Sequence, residues 1–203
     1  MNAKSNKAFS EVIESSLTGW TAQSWHWNVF PTFGSLLTIE TKKRQLFGIV
    51  CQIQTGSMDS TRSPFPYQKT EEELMQEQPQ IFEFLKTTFS CLTVGYQEGE
   101  TIRYLLAPEP PQIHTFVSEA TTEQCKIFFA RDQYLHLIFG CTNQPYNIDE
   151  LLLALLHYQA VNSLLSRERL ESIIQSFTLL TGNEYRRLKL LVSRIEHNIP
   201  IHR

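Results

Sequence analysis

Residues 46–55 read LFGIVCQIQT. Leu46, Phe47, Ile49, Val50 and Ile53 are strand formers, and a short run this rich in branched and aromatic side chains suits a pleated, buried surface. Gly48 interrupts the run, which marks a bend or bulge. The polar turn Thr41-Lys42-Lys43-Arg44 leads into it, and residues 35–40 before the turn alternate weakly. Residues 20–29 carry all three tryptophans, Trp20, Trp25 and Trp27. Trp25-His26-Trp27, read as strand, places two rings on one face. Residues 9–17 predict a first strand or an extended arm.

Downstream, GSMDSTRSPFPYQKT (56–70) is a loop rich in Gly, Ser and Pro. Residues 71–86 then read as helix. Thr70 is the expected N-cap, and Glu71, Glu72 and Glu73 suit the positive end of the helix dipole. Pro79 predicts a kink or a break into two short helices. Residues 90–96 return to strand, Gln97-Glu98-Gly99-Glu100 predicts a hairpin turn, and residues 101–107 the answering strand. Pro108-Glu109-Pro110-Pro111 is a rigid connector, and residues 113–120 a last short strand or arm.

Beyond residue 120 the apolar period becomes helical. Residues 122–137 predict a helix, although their aromatics also suit a strand. Asn147 and Glu150 have the spacing of a capping box for a helix over 148–161. Ser166 is placed to cap the next helix, in which Leu170, Ile173, Ile174 and Phe177 form one apolar stripe. Gly182 should stop it. Leu188, Leu191, Val192 and Ile195 repeat the stripe in a final helix that ends near His197. The fold class is therefore α+β, with strands in residues 1–120, a helical insertion near 70–86, and a helical segment over 121–203.

The chain has 203 residues, 41% hydrophobic and 19% charged, a net charge of −3 and a pI near 6.1. This balance argues against a dedicated nucleic-acid binder. Residues 1–120 hold nine basic and thirteen acidic side chains, and the remainder nine and eight, so neither half has a strong electrostatic footprint. Cys51, Cys91, Cys125 and Cys141 are scattered, with none of the close pairs that a zinc site needs. They read as buried thiols of a cytoplasmic protein. The first residues lack the apolar core of a signal peptide, and no apolar run approaches the ~20 residues of a membrane span.

Motifs for chemistry are missing. Neither GxxxxGKS/T nor GxGxxG occurs, so no backbone cradle for phosphate is expected. GxSxG and HExxH are also absent. A pair such as Cys91 and His114 could be assembled from distant positions but is more simply two unrelated residues. Glu71–Glu73 with Glu77 could hold a divalent ion, but reads more simply as a solvated helix start. Arg186, Arg187, Lys189 and Arg194 on the last helix read as its wet face, and the three tryptophans as packing rather than base stacking. No cofactor and no metal are expected.

Three strings are more particular: LFGIVCQIQTGSMD (46–59), EEELMQEQPQIFEFLKTTFSCLTVGY (71–96) and LLAPEPPQIH (105–114). In this order they resemble the HAS-barrel family, named for a barrel shared by a DNA-translocating hexameric ATPase and the rotary ATP synthases. The positions that carry the resemblance are Gly48 in its strand, Glu77-Gln78-Pro79-Gln80 with Phe82, Gly95, Pro110-Pro111 and His114. It spans residues 8–120 well and the helical tail in outline.

The resemblance implies a six-stranded antiparallel β-barrel, followed here by three or four helices. It implies assembly contacts and no catalytic residues. The large relatives continue into a motor domain; here only a short helical segment follows, without a phosphate loop. Closing the barrel should remove exposed sheet edges, with Val50, Leu92 and Val94 filling the inside. The expected function is a non-enzymatic docking or assembly module. Its partner would be an unidentified protein, an ATPase complex or a second copy. The alternatives are a nucleic-acid-associated accessory protein, using Lys42, Lys43, Arg44 and the last helix, and an enzyme with a dispersed site.

Overall fold

A computed structural model describes residues 7–59, 61, 65–141, 146–182 and 184–200. Its strands are β1 (Ser10–Ser15), β2 (Gly19–Ser24), β3 (Leu36–Glu40), β4 (Gln45–Ser57), β5 (Leu85–Glu98), β6 (Thr101–Arg103) and β7 (Phe116–Glu119). The hydrogen-bonded order is β2-β1-β7-β3-β4-β5-β6, and β2 also pairs with β5. That last pairing closes six strands into an antiparallel barrel and leaves β6 as a short flap on the far end of β5.

The strands differ greatly in length. β4 and β5 run 13 and 14 residues, whereas β3 has only five. β3 pairs with β4 only over Gln45 to Ile49, with two further backbone bonds at Val50. β2 covers β5 from Thr88 to Leu92. The remaining lengths of β4 and β5 pair with each other, out to Ser57 opposite Leu85. They form a two-stranded arm that projects past the closed part of the barrel. Closure therefore leaves an exposed strand edge that the sequence reading expected it to remove.

Gly48 sits at one of two register shifts in the β4–β5 ladder, as its place in the run suggested. A Cβ there would lie 2.1 Å from Trp20 Cη2, so the glycine makes room for a buried indole. The barrel interior is filled by Val12, Trp20, Ala22, Leu37, Ile39, Leu46, Val50, Phe89, Cys91, Tyr96, Ala107 and Val117. Val50 is inside as expected. Leu92 and Val94 are not: alternation turns them outward, where they join Leu36, Phe47 and Ile49 beneath the helices.

Two short helices, α1 (Glu71–Glu77) and α2 (Gln80–Glu83), lie between β4 and β5 and break at Pro79. The Thr70 hydroxyl accepts from Glu73 N–H, and the Glu73 carboxylate accepts from Thr70 N–H, completing the capping box. The expected helix over 71–86 stops early because Leu85 and Lys86 are already strand, held opposite Ser57 and Gly56. Trp25 and Trp27 also leave the strand expected for them. β2 ends at Ser24, and the chain turns to cross the barrel end toward β3. Likewise β6 ends at Arg103 rather than near 107.

After residue 120 the described residues form five helices, one more than the three or four expected: α3 (Thr122–Phe128), α4 (Tyr134–Gly140), α5 (Ile148–Val161), α6 (Arg167–Thr181) and α7 (Tyr185–Asn198). The helix expected over 122–137 is split. In the break, Asp132 pairs with Arg169 and accepts from the hydroxyls of Ser172 and Ser176 at 2.7 and 3.3 Å, tying the turn to α6. Asn147 caps α5 by accepting from Asp149 N–H at 2.9 Å, but Glu150 does not return the bond; it pairs with Arg194 on α7. Ser166 and Gly182 cap α6 as expected.

The helices lie on the barrel's outer wall. Phe128 of α3 meets Phe47 of β4 with ring centroids 4.8 Å apart, and Tyr104 donates to the Phe128 carbonyl at 2.6 Å. Gly34 (φ +82°) lets the turn before β3 press on α5: a Cβ there would stand 2.7 Å from backbone atoms of Ala154 and Leu155. Burial of each large apolar side chain in this shared layer contributes ~1.5–3 kcal/mol, which joins barrel and helices in one apolar cluster.

Candidate interaction surfaces

The ten family-like positions do not converge. Gly48 faces the barrel interior. Gly95 (φ +153°) lies where β6 crosses closely, and a Cβ there would stand 2.7 Å from the Arg103 carbonyl oxygen. Both therefore serve packing. Glu77, at the end of α1, pairs with Lys69. Gln78 caps that helix, its N–H donating to Leu74 O at 2.8 Å, and Pro79 with Gln80 opens α2. Phe82 stacks on Trp27 at 5.5 Å. These positions build the end of the barrel near the arm.

The remaining three lie on a different wall. The Pro111 carbonyl accepts from the Ser15 hydroxyl at 2.7 Å, next to Pro110, so this connector is fixed along β1. His114 has a positive φ of 69°, donates its N–H to Val12 O, and meets the Glu11 carboxylate. Beside this pair Trp25 packs edge-on to Phe116 at 5.3 Å, and both rings remain about half exposed.

Among the exposed apolar side chains of the described residues, two groups on the barrel stand out. One is Trp25 with Phe116 on the β1–β7 wall. The other is at the arm end: Met58 bonds through its backbone to Phe84, and both side chains are exposed. Phe65 and Tyr67 form an exposed edge-on pair on the 56–70 loop. The sequence held one signal for the arm. The alternation of β4 continues through Gln52-Ile53-Gln54-Thr55, past any length that the five-residue β3 could cover.

Surface grooves of about 200 to 670 Å³ mark the described residues. One of about 200 Å³ lies over the β2–β5 seam and is lined by Thr21, Cys51, Ser90, Cys91 and Tyr146 among others. Burial pushes the Cys51 thiol up to about 12, an effect only partly offset by the neighbouring Tyr146 hydroxyl. Burial raises Cys91 well above the usual thiol range and raises Cys125 and Cys141 as well. A reactive thiolate needs the opposite environment. Among the described residues no group of three or more His, Cys, Asp or Glu is placed to hold a metal ion.

Three arginines of the proposed basic face, Arg44, Arg187 and Arg194, are paired internally. Arg44 pairs with Glu98 at 3.1 Å and lies over the Tyr96 ring. On α7, Arg187 is held by Asp149 at 2.8 Å and Arg194 by Glu150 at 2.8 Å. No helix among the described residues is long and apolar enough to cross a membrane. Compared with known proteins, the chain matches no family model and no curated relative.

Proposed function

We propose that this chain is a non-enzymatic docking module, a barrel of HAS-barrel type with a helical segment packed on its wall. Its work would be to hold another protein, an ATPase assembly being the kind of partner that the resemblance suggests. The observation that carries the reading is the contrast between inside and outside. The barrel interior is occupied by its own Trp20, Phe89, Leu46 and Val50, while Trp25, Phe116, Met58 and Phe84 stand exposed on its surface. A filled barrel offers a substrate no chamber, and exposed aromatics are the side chains most enriched at protein contacts. The thiols support the same reading, since burial keeps them protonated at neutral pH. The nucleic-acid reading is weaker, because Arg44, Arg187 and Arg194 are engaged by carboxylates.

Cross-linking in native extract, followed by affinity isolation, tests this. The wild-type chain should be recovered with a defined protein in fixed ratio. The Trp25→Ser/Phe116→Ser variant, or a Phe84→Ser variant, should lose that protein while keeping its melting temperature, since exposed substitutions usually cost within ~0.5 kcal/mol. Recovery of the wild-type chain alone and monomeric would refute the proposal.

A further inference from the structure

Among the described residues, the β4 edge of the arm has no strand partner. On the β5 side, β4 is paired throughout its outer half, from Gln52 opposite Ser90 to Ser57 opposite Leu85. On the other side β3 stops at Ile49, and the last backbone bonds from that direction are those at Val50. No other described strand pairs with β4 between Gln52 and Ser57. Gln54 and Thr55 at the middle of this length are exposed, and a Cβ added at Gly56 would meet nothing within 4 Å.

An open edge is a row of backbone donors and acceptors, and what fits it is another extended strand. Proteins usually guard such edges with lysine, proline or inward charge. Gln52-Ile53-Gln54-Thr55-Gly56-Ser57 has none of these. The missing charge bears on the choice of partner. Two identical strands that pair antiparallel set the central residue against its own copy, and a charge at that position would oppose the pairing. Here nothing does. Pairing about Gln54 sets Gln52 against the open Gly56 and Ile53 against the branched Thr55, two undemanding cross-strand neighbours.

We infer that β4 pairs edge to edge with β4 of a second copy, antiparallel about Gln54, joining two arms into one four-stranded sheet. This rests on the docking reading and names the partner at one of its surfaces. The five residues from Gln52 to Gly56 that pair in each copy bury less than the ~800 Å² per partner of a standard stable interface. The dimer is therefore weak, forming in the micromolar range or above.

The test is sedimentation velocity on the full chain from ~1 to ~500 µM, where a complex of this strength changes its population. Wild type should shift from monomer to dimer. Gln54→Lys and Gln54→Glu each place like charges across the axis and should each weaken dimerisation by about tenfold or more. An equimolar mixture of the two should restore it. Gln54 is exposed, so circular dichroism should confirm an unchanged fold for both variants. Three outcomes overturn the inference: wild type monomeric throughout, a Gln54→Lys variant that dimerises as well as wild type, or a mixture no better than its components. If wild type is monomeric yet the native extract yields a partner that Gln54→Lys loses, self-pairing is wrong and the docking reading survives. If neither a dimer nor a partner is found, both fail.

Discussion

Gly48→Ala tests the packing of the barrel most directly. The added methyl would meet Trp20 Cη2 at 2.1 Å, Cζ2 at 2.4 Å and Cζ3 at 2.9 Å. Carbon atoms in contact rest about 3.5–4.0 Å apart. The indole must therefore retreat by more than an ångström, and Trp20 is only 3% exposed, with Val50 and Leu46 in the same cluster. Overpacking of this kind costs ~1–3 kcal/mol, occasionally more, and we expect about 3 kcal/mol here because rigid atoms of an aromatic ring are displaced. For a chain of this size that lowers the melting temperature by roughly 6–12 °C. Trp20→Phe removes the benzo ring that the methyl would strike, together with a buried indole N–H that has no hydrogen-bond partner. Alone it should cost about 1–2 kcal/mol for the space left behind. Combined with Gly48→Ala the two should cost less than their sum by ~1–3 kcal/mol. Urea unfolding followed by far-ultraviolet circular dichroism gives all four free energies without relying on the altered fluorophore. Additive costs, or a neutral Gly48→Ala, would refute the claim that the glycine is there to seat Trp20.

Gly34→Ala should be worse tolerated than an ordinary turn substitution. Its methyl meets α5 backbone at 2.7 Å and its φ is +82°, so a loss of about 2–4 kcal/mol in urea unfolding is expected. The buried thiols of Cys51, Cys91 and Cys125 should resist Ellman's reagent at pH 8 and react fully only in denaturant, while half-buried Cys141 reacts first. Because the Cys51 thiol is held at about 12 in the fold against 9.0 in the open chain, its contribution is complete below pH 9 and is lost as pH rises toward 12. Thermal melts across that window should show the decline; an alkaline-stable protein would contradict it. Arg187→Ala should cost about 1 kcal/mol, and Arg187→Lys nearly as much. The guanidinium reaches both Asp149 oxygens, at 3.0 and 3.2 Å from Nε, which an ammonium cannot reproduce. Added salt should narrow the difference from wild type.

Local signals in the sequence carried the local structure well. Thr70, Ser166 and Gly182 cap helices where their chemistry suggested, and Pro79 breaks the insertion. Gly48 marks a register shift as its position in a strand implied. What misled was anything decided across the fold. Leu92 and Val94 look like barrel filling because they are apolar and β-forming, but both faces of β5 are buried, one by the barrel and one by helices. No single-strand pattern distinguishes those faces. Trp25 and Trp27 alternate like strand residues, yet the chain must turn at Ser24 to reach β3. Of the candidate surface, the family-like strings located structural joints. The exposed rings and the open edge follow from strand lengths that only pairing reveals.

The three indoles occupy distinct surroundings: Trp20 is sealed inside the barrel, Trp25 is 47% exposed against Phe116, and Trp27 stacks on Phe82. The protein thus carries its own optical reporters. A soluble quencher such as acrylamide should reach Trp25 readily and Trp20 hardly at all. Emission from Trp25 would report occupancy of the β1–β7 wall, that of Trp27 the setting of the arm end, and that of Trp20 the integrity of the interior, each without an attached dye.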